Sequence, residues 1–186
     1  GAVLAVAVLA LAAGQAAWVA ALGPVPFDRA AEVSTTVVDR HGKLLRAYAM
    51  ADGRWRLPVH AASDVDPTYI DLLLAYEDQR FRSHDGVDPQ ALIRAALQFA
   101  RSGEIVSGGS TITMQLARLL EPRNQRTVGA KLRQIVRALE IERQRDKDQI
   151  LDLYLTLAPF GGNLEGIRAA SLAYFGKEPK RLSLAE

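Results

Sequence analysis

Two adjacent carboxylates, Glu77 and Asp78, open the stretch "EDQRFRSHDG", which continues through Phe81 and His84 to Gly86. A carboxylate held beside apolar neighbours suits the work of a general base, which must accept a proton in the transition state. The same stretch also reads as the solvated last turn of an ordinary helix. A second group lies in "SGGSTITMQLARLL", where Gly108 and Gly109 permit close backbone approach. Ser110, Thr111, Thr113 and Gln115 bring hydroxyl and amide groups to a helix start, and Arg118 follows. Free N–H groups at a helix start bind phosphate, although a glycine-serine loop with a serine cap has the same composition. A third group is basic. Between Arg123 and Arg145 there are seven Lys/Arg and two Glu. Arg126 and Lys131 in that run could clamp a diphosphate through charge-assisted hydrogen bonds, or the run could be a solvated helix face.

Other chemistries have no support. HExxH, P-loop and GxSxG patterns are absent, and no serine precedes a lysine by three residues. There is no cysteine, and three scattered histidines make a poor metal set. A net charge of +2 argues against a general nucleic-acid binder.

The elements that must position these groups follow from periodicity and caps. Asp66-Pro67 is a helix start, and Ile70, Leu73, Leu74 and Glu77 share one face of a helix expected to run towards Phe81. Asp88-Pro89 opens another, with Leu92, Ala95, Ala96 and Phe99 inward. Further helices carry Ile112, Leu116 and Leu119; Leu132, Ile135, Val136 and Leu139 (about Thr127 to Arg145); and Ile150, Leu151 and Tyr154. Upstream, alternation between Thr35 and Val59, with turns at His41-Gly42 and Asp52-Gly53, predicts a small antiparallel sheet of two or three strands. Residues 24–34 carry two prolines and read as a linker. Residues 1–23 are apolar apart from Gln15 and small Gly14. As a helix they would cover about 30 Å, the thickness of a bilayer core, with Trp18 near one end. A transmembrane anchor is therefore expected there. Ser183 and Glu186 have capping-box spacing, so the domain over residues 35–186 is expected to continue further.

Taken together, the motifs resemble glycosyltransferase family 51, the peptidoglycan glycosyltransferases of class A penicillin-binding proteins. Four of the family's patterns occur in order: "EDQRFRSHDG", "GGSTITMQ", "KDQILDLYLT" and "AASLAYFGKEPKRLSLAE". The likeness runs from about Thr36 to Glu186 and is greatest to the 1C branch. In the third motif, Ala130, Lys131 and Gln134 stand where an Arg-Lys pair and a Glu are usual. Thr156 replaces the usual Asn, and Arg118 a common Lys.

The resemblance implies a mainly α, lysozyme-like domain with a small N-terminal β-hairpin region, tethered by a transmembrane helix to the outer, periplasmic face of the cytoplasmic membrane. It implies polymerisation of lipid II, a disaccharide-pentapeptide on an undecaprenyl diphosphate, by inverting transfer. Glu77 would be the base, with Asp78 ordering the motif. Phe81, His84, Gly109, Ser110, Thr111, Gln115, Arg118, Arg126, Lys131 and Gln134 would bind substrate. No protein-held metal is expected, although Mg2+ or Mn2+ could accompany the lipid diphosphate. The partners implied are lipid II, the growing glycan strand, the membrane and other cell-wall synthesis proteins. The alternative is a catalytically weak, membrane-anchored module that captures lipid-linked glycan, supported by Ala130 and by Gln134, whose amide cannot ionise.

Overall fold

The computed structural model describes residues 6, 13–14, 16–102, 109–122 and 127–186. In chain order the elements are α1 (Asp28–Ala31), β1 (Thr36–Val38), β2 (Leu44–Ala47), β3 (Trp55–Arg56), α2 (Ala61–Asp64), α3 (Pro67–Glu77), α4 (Pro89–Ser102), α5 (Ile112–Leu120), α6 (Val128–Gln144), α7 (Lys147–Leu157), β4 (Leu164–Glu165) and α8 (Ile167–Phe175). Short 3-10 turns cover Phe81–Ser83 and Pro179–Arg181. The domain is mainly helical with a small β-hairpin, as expected.

The expected transmembrane helix is corrected. Among the described residues no helix is long and apolar enough to cross a membrane. Over residues 16–20 the chain is helical, and it then turns, with Leu22 N–H donating to Val19 O and Gly23 at φ +69°. Residues 1–5, 7–12 and 15 lie outside the described ones. The single-pass topology and the periplasmic placement inferred from it are not retained. Within residues 24–34, Val25 and Ala30 enter the core.

The sheet expectation holds for its first half. β1 and β2 pair antiparallel, with Thr36 opposite Ala47 and a register shift after Val37. Their turn is held by Asp39 Oδ1, which accepts from His41 N at 2.8 Å and Lys43 N at 2.9 Å, with Gly42 at φ +79°. β3 does not join this sheet. It pairs parallel with β4, Trp55 opposite Leu164, because the Arg56 guanidinium is paired to Glu165 across the two strands.

α3 starts at the expected Asp66-Pro67 signal, and α6 and α7 carry side-chain caps as well. Asp66 accepts from Thr68 N, Thr127 from Ala130 N, and Asp146 and Gln149 form a capping box. α7 is the central helix, with Ile150, Leu151 and Leu155 fully buried against Ile112 and Leu116 of α5 and Ile141 of α6. Two expectations change. α3 ends at Glu77 rather than near Phe81, since Asp78 swings to φ −160° to serve other partners. The buried face of α6 is Arg137, Ala138 and Ile141, while Leu132 is 53% exposed. On α4, Leu92 and Ala95 are half-buried, and the side chains of Ala96 and Phe99 lie outside the described ones.

Candidate active site

Glu77 is the last residue of α3 and half-buried. Its Oε2 accepts a 2.8 Å hydrogen bond from Gln115 Nε2, one turn into α5. Gln115 Oε1 in turn accepts from the Tyr154 hydroxyl of α7 at 3.2 Å. Three helices therefore fix the carboxylate, and one of its oxygens is left free of that chain. Burial, then the Glu77 charge, pushes the Tyr154 hydroxyl up to about 12. Tyr154 thus stays a donor at any physiological pH. Tyr69 is raised for the same two reasons.

Asp78 is buried and its carboxylate serves other partners. Its Oδ2 accepts from Ile112 N at 2.9 Å, at the first turn of α5, where free N–H groups favour an anion. His84 Nε2 lies 2.9 and 3.0 Å from its two oxygens. His84 Nδ1 accepts from Gly86 N at 3.1 Å, which assigns the ring proton to Nε2 and makes His84 the donor to Asp78. Thr111 completes the join. Its hydroxyl donates to Gly86 O at 2.6 Å and caps α5 by accepting from Met114 N. The two neighbouring carboxylates thus have different tasks: Asp78 ties the Glu77 loop to α5, and Glu77 faces open space.

That space is a cleft of about 630 Å³. Glu77, Asp78, Ser110, Thr111, Gln115, Arg118 and Gln134 all line it. Lys131 reaches it from α6 by donating to Ser110 Oγ at 2.6 Å. Its ammonium pKa is lowered, first by burial and then by the nearby Arg118 charge. The Lys131 ammonium thus lies near a second cation, an arrangement that an incoming anion would relieve. Gln134, one turn beyond Lys131, presents an amide to the same cleft.

Several residues named from sequence are placed elsewhere. Phe81 is 1% exposed and meets His84 edge-on at 6.4 Å, with the Lys147 ammonium 4.7 Å from its ring. Both rings sit behind the cleft, not in its lining. Gly109 packs against α4, and a Cβ there would lie 3.1 Å from Leu92 Cδ2. Arg126 lies outside the described residues. Sequence reasoning had placed Tyr154 in the core and missed its link to Gln115. The available signal was a tyrosine in an apolar stripe, whose hydroxyl needs a partner. The rim also gains Arg80, whose Nε donates to Asp88 Oδ2 at 2.9 Å, and Arg94. Among the described residues no group of three or more His, Asp or Glu is placed to hold a metal ion.

A family model described as Transglycosylase matches residues 41–186. The chain belongs to that family. It is the glycosyltransferase domain of a class A penicillin-binding protein, similar to the 1C branch. It is 49% identical over 172 residues to penicillin-binding protein 1C of Escherichia coli, covering 92% of this chain and 22% of that protein. Penicillin-binding protein 1A of Pseudomonas aeruginosa is 42% identical over 83% of this chain and 18% of its own. Penicillin-binding protein 1F of Bacillus subtilis is 34% identical over 82% of this chain and 21% of its own. The chain therefore spans about a fifth of the length of these relatives.

Proposed function

We propose that the domain polymerises lipid II by inverting glycosyl transfer, with Glu77 as general base. The observation that carries this reading is one cleft lined by the Gln115-held Glu77 carboxylate, by Arg118 and by Ser110, whose hydroxyl the Lys131 ammonium bonds. The Glu77 carboxylate takes the proton of the acceptor GlcNAc 4-hydroxyl. That oxygen attacks C1 of the donor MurNAc from the face opposite the diphosphate. The C1–O bond breaks, and the lipid diphosphate leaves with the bonding pair. A diphosphate needs charge neutralisation more than protonation, and Lys131 and Arg118 supply two positive charges. Mg2+ or Mn2+ would enter with the diphosphate, as part of the substrate. Gln134 adds amide donors rather than an acid, which this leaving group tolerates. Lipid II and the growing strand are the partners this activity requires, and other cell-wall synthesis proteins are partners it could engage.

Lipid II polymerisation by the full-length protein tests the reading. Removal of a general base costs about 10²–10⁴-fold in rate, so Glu77→Gln should lose at least a hundredfold with substrate binding retained. Equal product from both proteins would overturn the assignment. Binding without turnover by the unaltered protein would favour the capture module, for which the Gln134 amide is the supporting feature.

A further inference from the structure

A second cavity, of about 330 Å³, lies on the other side of Arg118 from the cleft. It is lined by three guanidinium side chains, Arg29, Arg56 and Arg118, against one carboxylate, Glu165, with Leu119 and Leu157 among its apolar walls. Arg56 is fully buried and committed: Nε donates to Glu165 Oε2 at 2.8 Å and Nη1 to Glu32 O at 2.7 Å, with Arg29 O a further acceptor. Glu165 is in turn shared with Arg54. The other two cations are not committed. Arg29 Nε is buried with no hydrogen-bond partner, and among the described residues neither Arg29 nor Arg118 has an ion pair. A buried donor left unsatisfied costs free energy that a ligand can recover. The backbone beneath Arg29 is held by Arg56, which donates to the Arg29 carbonyl.

We propose that this cavity is a subsite for a peptide carboxylate, held by Arg29, with its adjoining small residue against Leu119 and Leu157 and Arg118 closing the side shared with the cleft. Guanidinium forks match carboxylates in geometry and charge. The volume holds about eleven waters at roughly 30 Å³ each, room for the last two residues of a peptide. The occupant's identity rests on the proposed function: lipid II carries a pentapeptide ending in a carboxylate. Arg118 lines both spaces, so the cavity adjoins the cleft that holds Glu77.

The test is a titration of the full chain in detergent, read at the Nε–Hε resonance of Arg29. The probes are an N-acetyl dipeptide acid, the corresponding dipeptide amide, and inorganic phosphate. The acid should give a saturable shift, with the amide at least tenfold weaker. Arg29→Gln should weaken binding of the acid about tenfold, followed at the Arg118 resonance, and Arg29→Lys should recover part of it. No saturable shift, equal binding of acid and amide, or a response to phosphate alone would each overturn the proposal. The wild-type titration stands even if a variant misfolds. It also needs no turnover, so a carboxylate-specific shift in a protein that makes no polymer would keep the subsite and sink the polymerase. Polymer formation without the shift would do the reverse.

Discussion

Tyr154 holds Gln115, and Gln115 holds Glu77, so the aim of the proposed base depends on a hydroxyl that never enters the cleft lining. Without it the Gln115 amide can rotate and offer Glu77 its oxygen, which repels a carboxylate. Tyr154→Phe should therefore lower kcat about three- to tenfold and leave KM nearly unchanged, since the substrate-facing surface is intact. The accompanying stability loss should be about 1 kcal/mol, that of one hydrogen bond. Lipid II kinetics separate the two effects. An unchanged kcat, or a rise in KM alone, would show that Tyr154 only packs.

The join between the Glu77 loop and α5 passes through a glycine that no other residue replaces. Gly86 sits at φ +86°, and a Cβ there would come within 2.8 Å of Ala138 O and 2.9 Å of Glu142 Cγ on α6. Gly86→Ala combines a left-handed backbone with a clash against helix backbone, and each such strain costs about 1–3 kcal/mol. It should also displace Gly86 O from the Thr111 hydroxyl and loosen the α5 cap. Thermal unfolding should show a midpoint several degrees lower, and an unchanged midpoint would mean that the loop relaxes freely. Local signals made much of this frame legible from sequence: Asp66-Pro67, Asp88-Pro89 and Thr127 mark helix starts through caps that act within one turn. The face of α6 was not legible. Its apolar spacing points to Leu132 and Leu139, but the helix turns Arg137 and Ala138 inward, because Arg137 has partners more than a hundred residues away in sequence. β3 fails for the same reason, its mate β4 being fixed by the Arg56–Glu165 pair. Of the site, the Glu77 and Ser110 motifs were legible, while the Tyr154 link needed α7 packed against α5.

At the scale of the whole molecule, Arg137 fastens residues 22–23 to α5 and α6. It is 2% exposed, and its guanidinium donates to Leu22 O at 2.7 Å and Gly23 O at 2.8 Å. These carbonyls follow the helical run of residues 16–20, so a cation there both satisfies and complements a helix end. The same group pairs with Glu121 at 2.6 Å, just past α5, and with Glu140 on its own helix at 2.6 Å. Burial alone would raise the Glu121 carboxyl, but hydrogen bonds from Arg133 and Arg137 outweigh it and hold the group below its ordinary value of 4.5. A depressed folded-state pKa adds stability above 4.5, and that contribution is lost as pH falls through the lower folded value. Arg137→Met removes one of the two arginines on Glu121 and frees residues 22–23. It should cost about 2–3 kcal/mol at pH 7, less than the 3–5 of a fully broken buried pair because Arg133 remains. The penalty should shrink as the pH falls through the folded-state values of Glu121 in the two proteins, both below 4.5, since their unfolded states cancel in the difference. Denaturant unfolding of both proteins from pH 7 down to about pH 3 measures this. A penalty that stays constant or grows on acidification would mean that Arg137 acts through the Leu22 and Gly23 carbonyls alone and that Glu121 contributes nothing.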